Sequence, residues 1–469
     1  MKVDLLIKNG KIVTPNRTYN GNIAISNEKI VQIGDVDYLP QADEVVDAAG
    51  KHIIPGVIDT HTHIGWPDWD WEEACAATTR AAAAGGVTTT MCYTGAASGG
   101  GADTAISGTD ESSSIIDEVN TKRTQFENNS YIDGAFHGVI YSFDSLKDIV
   151  PIAIKGGVPS FKFFLVYRSC EVSGPLDGVD DGMLYYGFKE IAKLKYPGMA
   201  MTHCENIEIF YRIRDKLLSE GGEPYWNDVR PNFVEVESIK KAIEFAKATD
   251  CTLYLVHMST KEAREEVLRA RAEGVNIYAE TCPHYLALNV DNADRVLSKV
   301  NPPVRTKEDS ESLWRAIREG VITCIGSDHA DCAKKHKKDF WSAIVGLPGI
   351  QTMLPIILSE GVNKGRITME QAVAVTSFNP AKTFNIYPKK GTIEVGSDAD
   401  LVIVDMNMEK EVHIEDMHYI TDFTPYEGMK LKGWPVQTYV RGKLVAKDNV
   451  ITGEKGFGRF IPRNAELKL

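Results

Sequence analysis

The sequence predicts an α/β protein: a (β/α)8 barrel carrying a small β-sandwich built from both ends of the chain. Three observations lead there. Eight short apolar runs alternate with helical stretches through the middle of the chain, the pattern of parallel βα units. Both ends lack helical periodicity and read instead as short strands broken by turn residues. The chain has 469 residues, more than the roughly 250 that a single barrel commonly needs, so length remains for a smaller second unit.

Near the N-terminus, residues 3–7, 11–13, 22–25 and 30–33 read as strands, separated by turns at Asn9-Gly10 and Asn27-Glu28. The far end is alike. Ala399-Asp400-Leu401-Val402-Ile403-Val404 forms a strand, and residues 436–440 turn through Arg441-Gly442 into Lys443-Leu444-Val445 as a hairpin. The two ends are expected to meet, residues 1–52 and 386–469 making the sandwich (with a tail) and residues 53–385 the barrel. The eight barrel strands are expected at 53–58, 87–92, 135–141, 160–165, 199–202, 252–256, 276–280 and 321–326, with helices at 72–84, 237–248, 261–273 and 310–319. Residues 95–103, rich in Gly and Ala, are expected to be a mobile loop over the barrel mouth. No internal repeat is visible.

Composition bounds the function. With 43% hydrophobic and 25% charged residues the balance is that of an ordinary soluble protein with a large core. A net charge of −13 disfavours nucleic acid and anionic membrane as partners. Eight cysteines without a Cys-x-x-Cys pair read as reduced thiols. The opening segment has no signal-peptide pattern, and no apolar run approaches the roughly 20 residues that span a bilayer. A cytoplasmic protein is expected.

In a (β/α)8 barrel the active site is assembled at the C-terminal ends of the strands. Here those ends carry Asp59-Thr60-His61-Thr62-His63, Ser160-Phe161-Lys162-Phe163, Thr202-His203-Cys204-Glu205, Val256-His257 and Ser327-Asp328-His329. Four of the eleven histidines (His61, His63, His203 and His257), Lys162 and Asp328 are therefore expected to converge on one rim. His61 and His63 alternate on a strand, so both point to one side and can bind one ion. Alone such a pair is compatible with surface chance; behind an apolar strand and Asp-Thr it reads as a metal site. His203 and His257 arrive one per strand, as a second ion requires, although a single strand-end histidine is more often a satisfied core residue. Asp328 could be a helix cap, but it follows a buried strand at the rim. Lys162, flanked by Phe161, Phe163 and Phe164, must snorkel outward or point into the barrel. Buried beside cations, its ammonium is disfavoured. The neutral amine can take up carbon dioxide as a carbamate, whose two oxygens serve one metal each. The alternative is a salt-bridged core lysine.

These residues resemble the cyclic amidohydrolases: hydantoinases, dihydropyrimidinases, allantoinases and, more distantly, dihydroorotases. The resemblance spans nearly the whole chain. It runs through Pro55-Gly56-Val57-Ile58-Asp59-Thr60-His61-Thr62-His63, Ser160-Phe161-Lys162-Phe163-Phe164-Leu165-Val166-Tyr167 and Thr202-His203-Cys204-Glu205-Asn206. It continues in Thr281-Cys282-Pro283-His284-Tyr285, Asn301-Pro302-Pro303-Val304-Arg305, Gly326-Ser327-Asp328-His329, Asn379-Pro380-Ala381-Lys382 and Gly396-Ser397-Asp398-Ala399-Asp400. It implies that His61, His63 and Asp328 bind one divalent ion, that His203 and His257 bind a second, and that carboxylated Lys162 (N6-carboxylysine) bridges them. Zinc is the implied metal, with manganese as the other choice, and carbon dioxide supplies the carboxyl group. The resemblance further implies that the ions would supply a hydroxide to attack the ring carbonyl, that Asp328 would carry its proton to the leaving ring nitrogen, and that Tyr167 would hydrogen-bond the developing oxyanion. The backbone around Asn301 holds the ring amide. A homotetramer or homodimer is implied by family analogy. For Tyr167 the plain alternative is an aromatic packed beside a Phe-rich strand.

The chain also departs from the pattern. No asparagine occupies Val345-Gly346-Leu347-Pro348, where hydantoinases usually place one against substrate. Residues 64–71 are rich in tryptophan, to line an aromatic-accepting pocket or to pack a long loop. Asp331 stands where allantoinase and dihydroorotase patterns often have proline. Thr281-Cys282-Pro283-His284-Tyr285 leans toward allantoinase, and Gly346-Leu347-Pro348-Gly349-Ile350 toward hydantoinase. The leading expectation is hydrolysis of a hydantoin or dihydropyrimidine to an N-carbamoyl amino acid, with allantoinase next. Dihydroorotase ranks third, because no arginine for a substrate carboxylate follows His61-Thr62-His63. A non-catalytic scaffold relative would have lost metal ligands, and here the set is intact.

Overall fold

The computed structural model describes residues 2–34, 39–65, 69–94, 115–140, 142–166, 179–221 and 224–468. From the N-terminus come β1 (Lys2–Val13), β2 (Thr18–Ser26), β3 (Lys29–Gly34), β4 (Gln41–Asp47) and β5 (His52–Pro55). A parallel series follows: β6 (Val57–His63), β7 (Val87–Thr94), β8 (Asp133–Val139), β9 (Ser160–Phe164), β10 (Met199–His203), β11 (Leu253–Leu255), β12 (Ile277–Thr281), β13 (Cys324–Ile325) and β14 (His329–Ala330). The far end adds β15 (Leu401–Glu411), β16 (Lys430–Val440), β17 (Lys443–Lys447) and β18 (Val450–Ile451).

The two ends do meet. One sheet runs β18-β17-β16-β15-β5-β1-β2-β3, with β4 alongside β1, so β15 from the far end pairs antiparallel with β5 from the near one. Leu5, Ile7, Ile23, Ile25, Leu401, Ile403 and Tyr439 make its core. Three local readings differ from expectation. The turn at Asn9-Gly10 is instead a bulge within the single strand β1, where the register shifts between Ile7 and Gly10. Asn9 takes φ 57°, which kinks a strand without reversing it. Strand β4 has no apolar alternation to betray it; its side chains are mostly exposed. The run 53–58 is two strands, since Gly56 breaks it and sends β5 to the terminal sheet and β6 to the barrel. A Cβ at Gly56 would fall 2.0 Å from Thr88 Oγ1, so only glycine fits that crossing.

The second sheet is the barrel, in the order β13-β12-β11-β10-β9-β8-β7-β6-β14. Its eighth strand is interrupted: β13 pairs with β12, β14 pairs with β6, and the ring closes through the two halves. Ile58, Met91, Ala135, Met199, Met201 and Tyr254 fill the interior with Phe384. Outside lie helices Trp71–Ala84, Asn232–Thr249, Lys261–Ala272 and Lys307–Arg318. Asp70 caps the first by accepting from Glu72 N at 2.9 Å, and Thr306 with Asp309 caps the last reciprocally. The segment 95–103 lies outside the described residues. No helix among the described residues is long and apolar enough to cross a membrane.

A buried ion cluster ties the sheets together. Lys390 Nζ, fully buried, lies 2.6 Å from Asp133 Oδ2, 3.0 Å from Asp398 Oδ2 and 2.7 Å from Asp400 Oδ2. Arg441 also pairs with Asp133. After β18 the chain returns to the barrel: Arg463, buried, donates to Ser160 Oγ at 3.0 Å and to the Phe136 carbonyl.

Candidate active site

The strand period places the first pair of histidines. On β6 the hydroxyl of Thr62 faces away, 2.7 Å from Thr90 Oγ1 and 3.2 Å from Asp59 Oδ2, so His61 and His63 point together toward the mouth. Their ring centroids are 5.3 Å apart. Asp328 meets them: its Oδ1 lies 3.1 Å from His61 Nε2 and 3.4 Å from His63 Nε2. One ligand atom from each of the three falls within 4.8 Å of the others, as donors to one ion must. Asp328 caps no helix. It sits in the break of the eighth strand at φ 51°, between β13 and β14.

The remaining candidates close the ring. His203 and His257 have ring centroids 4.4 Å apart, and His257 is 5.2 Å from His61. Lys162 is fully buried on β9, its Nζ 4.8 Å above each of the Tyr93 and Phe164 rings. It does not snorkel, and among the described residues it forms no salt bridge. Burial brings its pKa down to about 8, against the pull of Asp328 and Glu280. Burial likewise holds His203 at about 4 and His257 well below the usual histidine range, so both are neutral imidazoles, the form that ligates.

Three buried atoms test whether cations fit here. His61 Nε2, His257 Nδ1 and Lys162 Nζ have no hydrogen-bond partner among the described residues. His61 Nε2 nevertheless lies 3.1 Å from Asp328 Oδ1, close enough for the two to share an ion. A buried polar atom without a partner costs about 1–3 kcal/mol. Three in one cluster, beside the Asp328 carboxylate, form a donor set that suits metal ions.

The sequence did not reveal what holds these ligands. Glu280, fully buried on β12, accepts from His61 Nδ1 at 2.7 Å and from His257 N at 3.1 Å through Oε1. Its Oε2 accepts from Thr60 Oγ1 at 2.6 Å and Tyr254 OH at 2.8 Å. This fixes the His61 tautomer with Nε2 free for an ion. Gly326 makes room for it: a Cβ there would stand 2.6 Å from His61 Cβ and 2.7 Å from Glu280 Oε2. Asp59 braces the break in the eighth strand, accepting from Ser327 N at 2.8 Å, Ser327 Oγ at 2.5 Å and His61 N at 3.2 Å. Glu205 contacts His203 Nε2 at 2.8 Å and Arg230 at 3.1 Å. His257, like Asp328, has a positive φ, 36°. Strain of this kind in non-glycine residues concentrates at functional sites. Only Asp59 and Glu205, lying inside quoted motifs, could have been singled out from sequence.

Asn301 is nearly buried, and its Oδ1 accepts from Trp226 Nε1 at 2.8 Å, so its side chain is engaged. The segment at 346–349 lies beside the broken strand, with Ala330 N donating to the Leu347 carbonyl at 2.9 Å and Gly349 N to His329 Nδ1 at 3.1 Å. Tyr167 and residues 66–68 of the tryptophan-rich segment lie outside the described residues.

Residues 203–445 match the amidohydrolase family. Over 484 residues the chain is 34% identical to a D-hydantoinase of Ralstonia pickettii, covering 98% of this chain and 99% of that one. The chain belongs to the amidohydrolase family. It is also 33% identical to an allantoinase of Bacillus licheniformis over 98% of its own length. An L-hydantoinase (dihydropyrimidinase) structure from Arthrobacter aurescens superposes on this amidohydrolase with a TM-score of 0.89 at 32% identity, covering 98% of this chain and all of that one. It is thus an enzyme of a metal-dependent hydrolase family on a (β/α)8 barrel.

Proposed function

We propose that this amidohydrolase opens the amide bond of a five- or six-membered cyclic ureide or imide, a hydantoin or dihydropyrimidine, to give an N-carbamoyl amino acid. The observation that carries the reading is the convergence of four imidazoles, the Asp328 carboxylate and buried Lys162 on one point of the barrel mouth. Full-length similarity to D- and L-hydantoinases supports the substrate class. Full-length similarity to allantoinases, together with Cys282-Pro283-His284, favours allantoin as the second reading.

In this reading His61, His63 and Asp328 hold one divalent cation, and His203 and His257 a second. Zinc is the first choice and manganese the other. Lys162, once carboxylated by carbon dioxide, would serve as a ligand to both; its buried Nζ, without a hydrogen-bond partner among the described residues and with its pKa lowered to about 8, supports this modification. Bound cations would polarise the ring carbonyl and make water a stronger acid. Asp328, at the edge of the cluster, takes the proton of the attacking water and returns it to the departing ring nitrogen, so no free amide anion forms. Tyr167 donates to the developing oxyanion. The Asn301 main chain holds the ring, its side chain being occupied by Trp226. We further read the protein as a cytoplasmic homotetramer or homodimer, on family analogy.

The test is ring opening by protein supplied with zinc and bicarbonate, on hydantoin, 5-phenylhydantoin, dihydrouracil, allantoin and dihydroorotate, beside Lys162→Ala. Turnover of hydantoins or dihydrouracil that the variant loses supports the reading. Turnover of allantoin alone retains the chemistry and moves the substrate. A fully active Lys162→Ala removes the bridging lysine.

A further inference from the structure

A second group of donors adjoins the proposed two-metal site and shares only Asp328 with it. The chain leaves β12 at Thr281, and Pro283 turns it into the short helix Pro283–Ala287. This sharp turn sets Cys282 and His284 against the neighbouring broken strand that carries Asp328. One ligand atom each from Cys282, His284 and Asp328 lies within 4.8 Å of the other two. Cys282 is fully buried, His284 is 1% exposed and Asp328 is 8% exposed. His284 Nε2 has no hydrogen-bond partner, although its ring is packed edge-on against Tyr285 at 4.1 Å. An orphaned imidazole nitrogen, a thiol and a carboxylate converging in a buried corner form a ligand set of mixed softness.

We propose that Cys282, His284 and Asp328 form a third cation site, specific for a thiophilic divalent ion such as cadmium or excess zinc, whose occupation inhibits the enzyme. Three protein ligands with a fourth position left to water suit either ion. The sulfur makes the distinction: the two-metal site is imidazole and carboxylate, and this one adds a thiolate. On binding, the Cys282 S–H proton passes to solvent as the sulfur–metal bond forms, with no change in oxidation state. Asp328 has two oxygens and can serve both groups, but a carboxylate neutralised by a further cation no longer accepts the proton of the attacking water. The inhibitory half of this inference rests on the role of Asp328 proposed above; the binding half does not.

The test adds cadmium to holoenzyme already loaded with its own ions, following both the ultraviolet thiolate-to-cadmium absorption and the number of ions retained on dialysis. The expected result is one further ion per chain, a thiolate band, and ring-opening activity that falls as the band grows. Cys282→Ser should abolish the band, and His284→Asn should weaken binding, each raising the cadmium concentration needed for inhibition by roughly tenfold or more. Both variants should stay active without added cadmium. A band that persists in Cys282→Ser, or no band in the parent protein, overturns the site. Binding with an intact band but no loss of turnover overturns the inhibition and leaves the site standing. If no ring is opened at all, the band and the ion count still decide the binding half.

Discussion

Glu280 is the residue whose replacement should tell most about how this centre is held. Four donors converge on its two oxygens, two of them from the proposed ligands His61 and His257 and two from Thr60 and Tyr254. In Glu280→Gln the shape persists. The amide oxygen can stay with His61 and His257, and the amide nitrogen can face the two hydroxyls, which rotate to accept. Lost is the charge, and a charge-assisted hydrogen bond is about twice as strong as a neutral one. Half of the net value of about 1.5–3 kcal/mol for a bond to a charged group is about 0.8–1.5 kcal/mol, or roughly fourfold to tenfold in metal affinity. Glu280→Ala removes the acceptor altogether and frees the His61 ring, so the loss should approach about a hundredfold. Competition with a chromophoric chelator measures both without any substrate. Metal affinity unchanged in both variants would refute the claim that Glu280 orients the ligands, as would a Gln variant weaker than Ala.

The cluster around Lys390 gives two further predictions. Lys390→Met leaves three buried carboxylates with Arg441 and the half-exposed Lys29 as their remaining cations, and should destabilise the fold by about 3–5 kcal/mol in denaturant melts; a loss below about 1 kcal/mol would show the cluster to be dispensable. The second concerns pH. For Asp133 burial works upward, but Lys390 and Arg441 outweigh it and hold the carboxyl below its usual range. Its contribution is therefore present above the ordinary carboxylate range and is lost as pH falls through the lower folded-state value. Without Lys390 the buried carboxylates of the cluster resist ionisation, and their contribution reverses sign: the variant should gain more stability than the parent as pH falls from about 7 to about 5. Parallel acid dependences of the two melts would contradict this.

Local pattern carried the sequence reading a long way, and its failures are physical. The alternation of apolar runs with helical stretches marked the barrel strands, and the period of two set His61 and His63 on one side, because both signals lie within a few residues of the chain. Strand β4 escaped because it is charged and exposed, and Gly56 hid a strand break inside an apolar run. The proposed ligands were visible as histidines, a lysine and an aspartate at strand ends.

Their supports were not. Glu280 reads as one more strand residue, and it meets His61 only because the barrel closes across 219 positions of sequence. The left-handed turns at His257 and Asp328 carry no glycine or asparagine signal; the surrounding hydrogen bonds impose them. Arg463, three residues past the last core phenylalanine, finds Ser160 beneath the site only because the tail folds back onto the barrel. The sequence by itself determined which groups could do the chemistry, since residue type and strand period are local properties. Tertiary structure alone decided that the buried Glu280 carboxylate orients the His61 imidazole, since the desolvation that makes such a contact strong arises only when distant strands close around it.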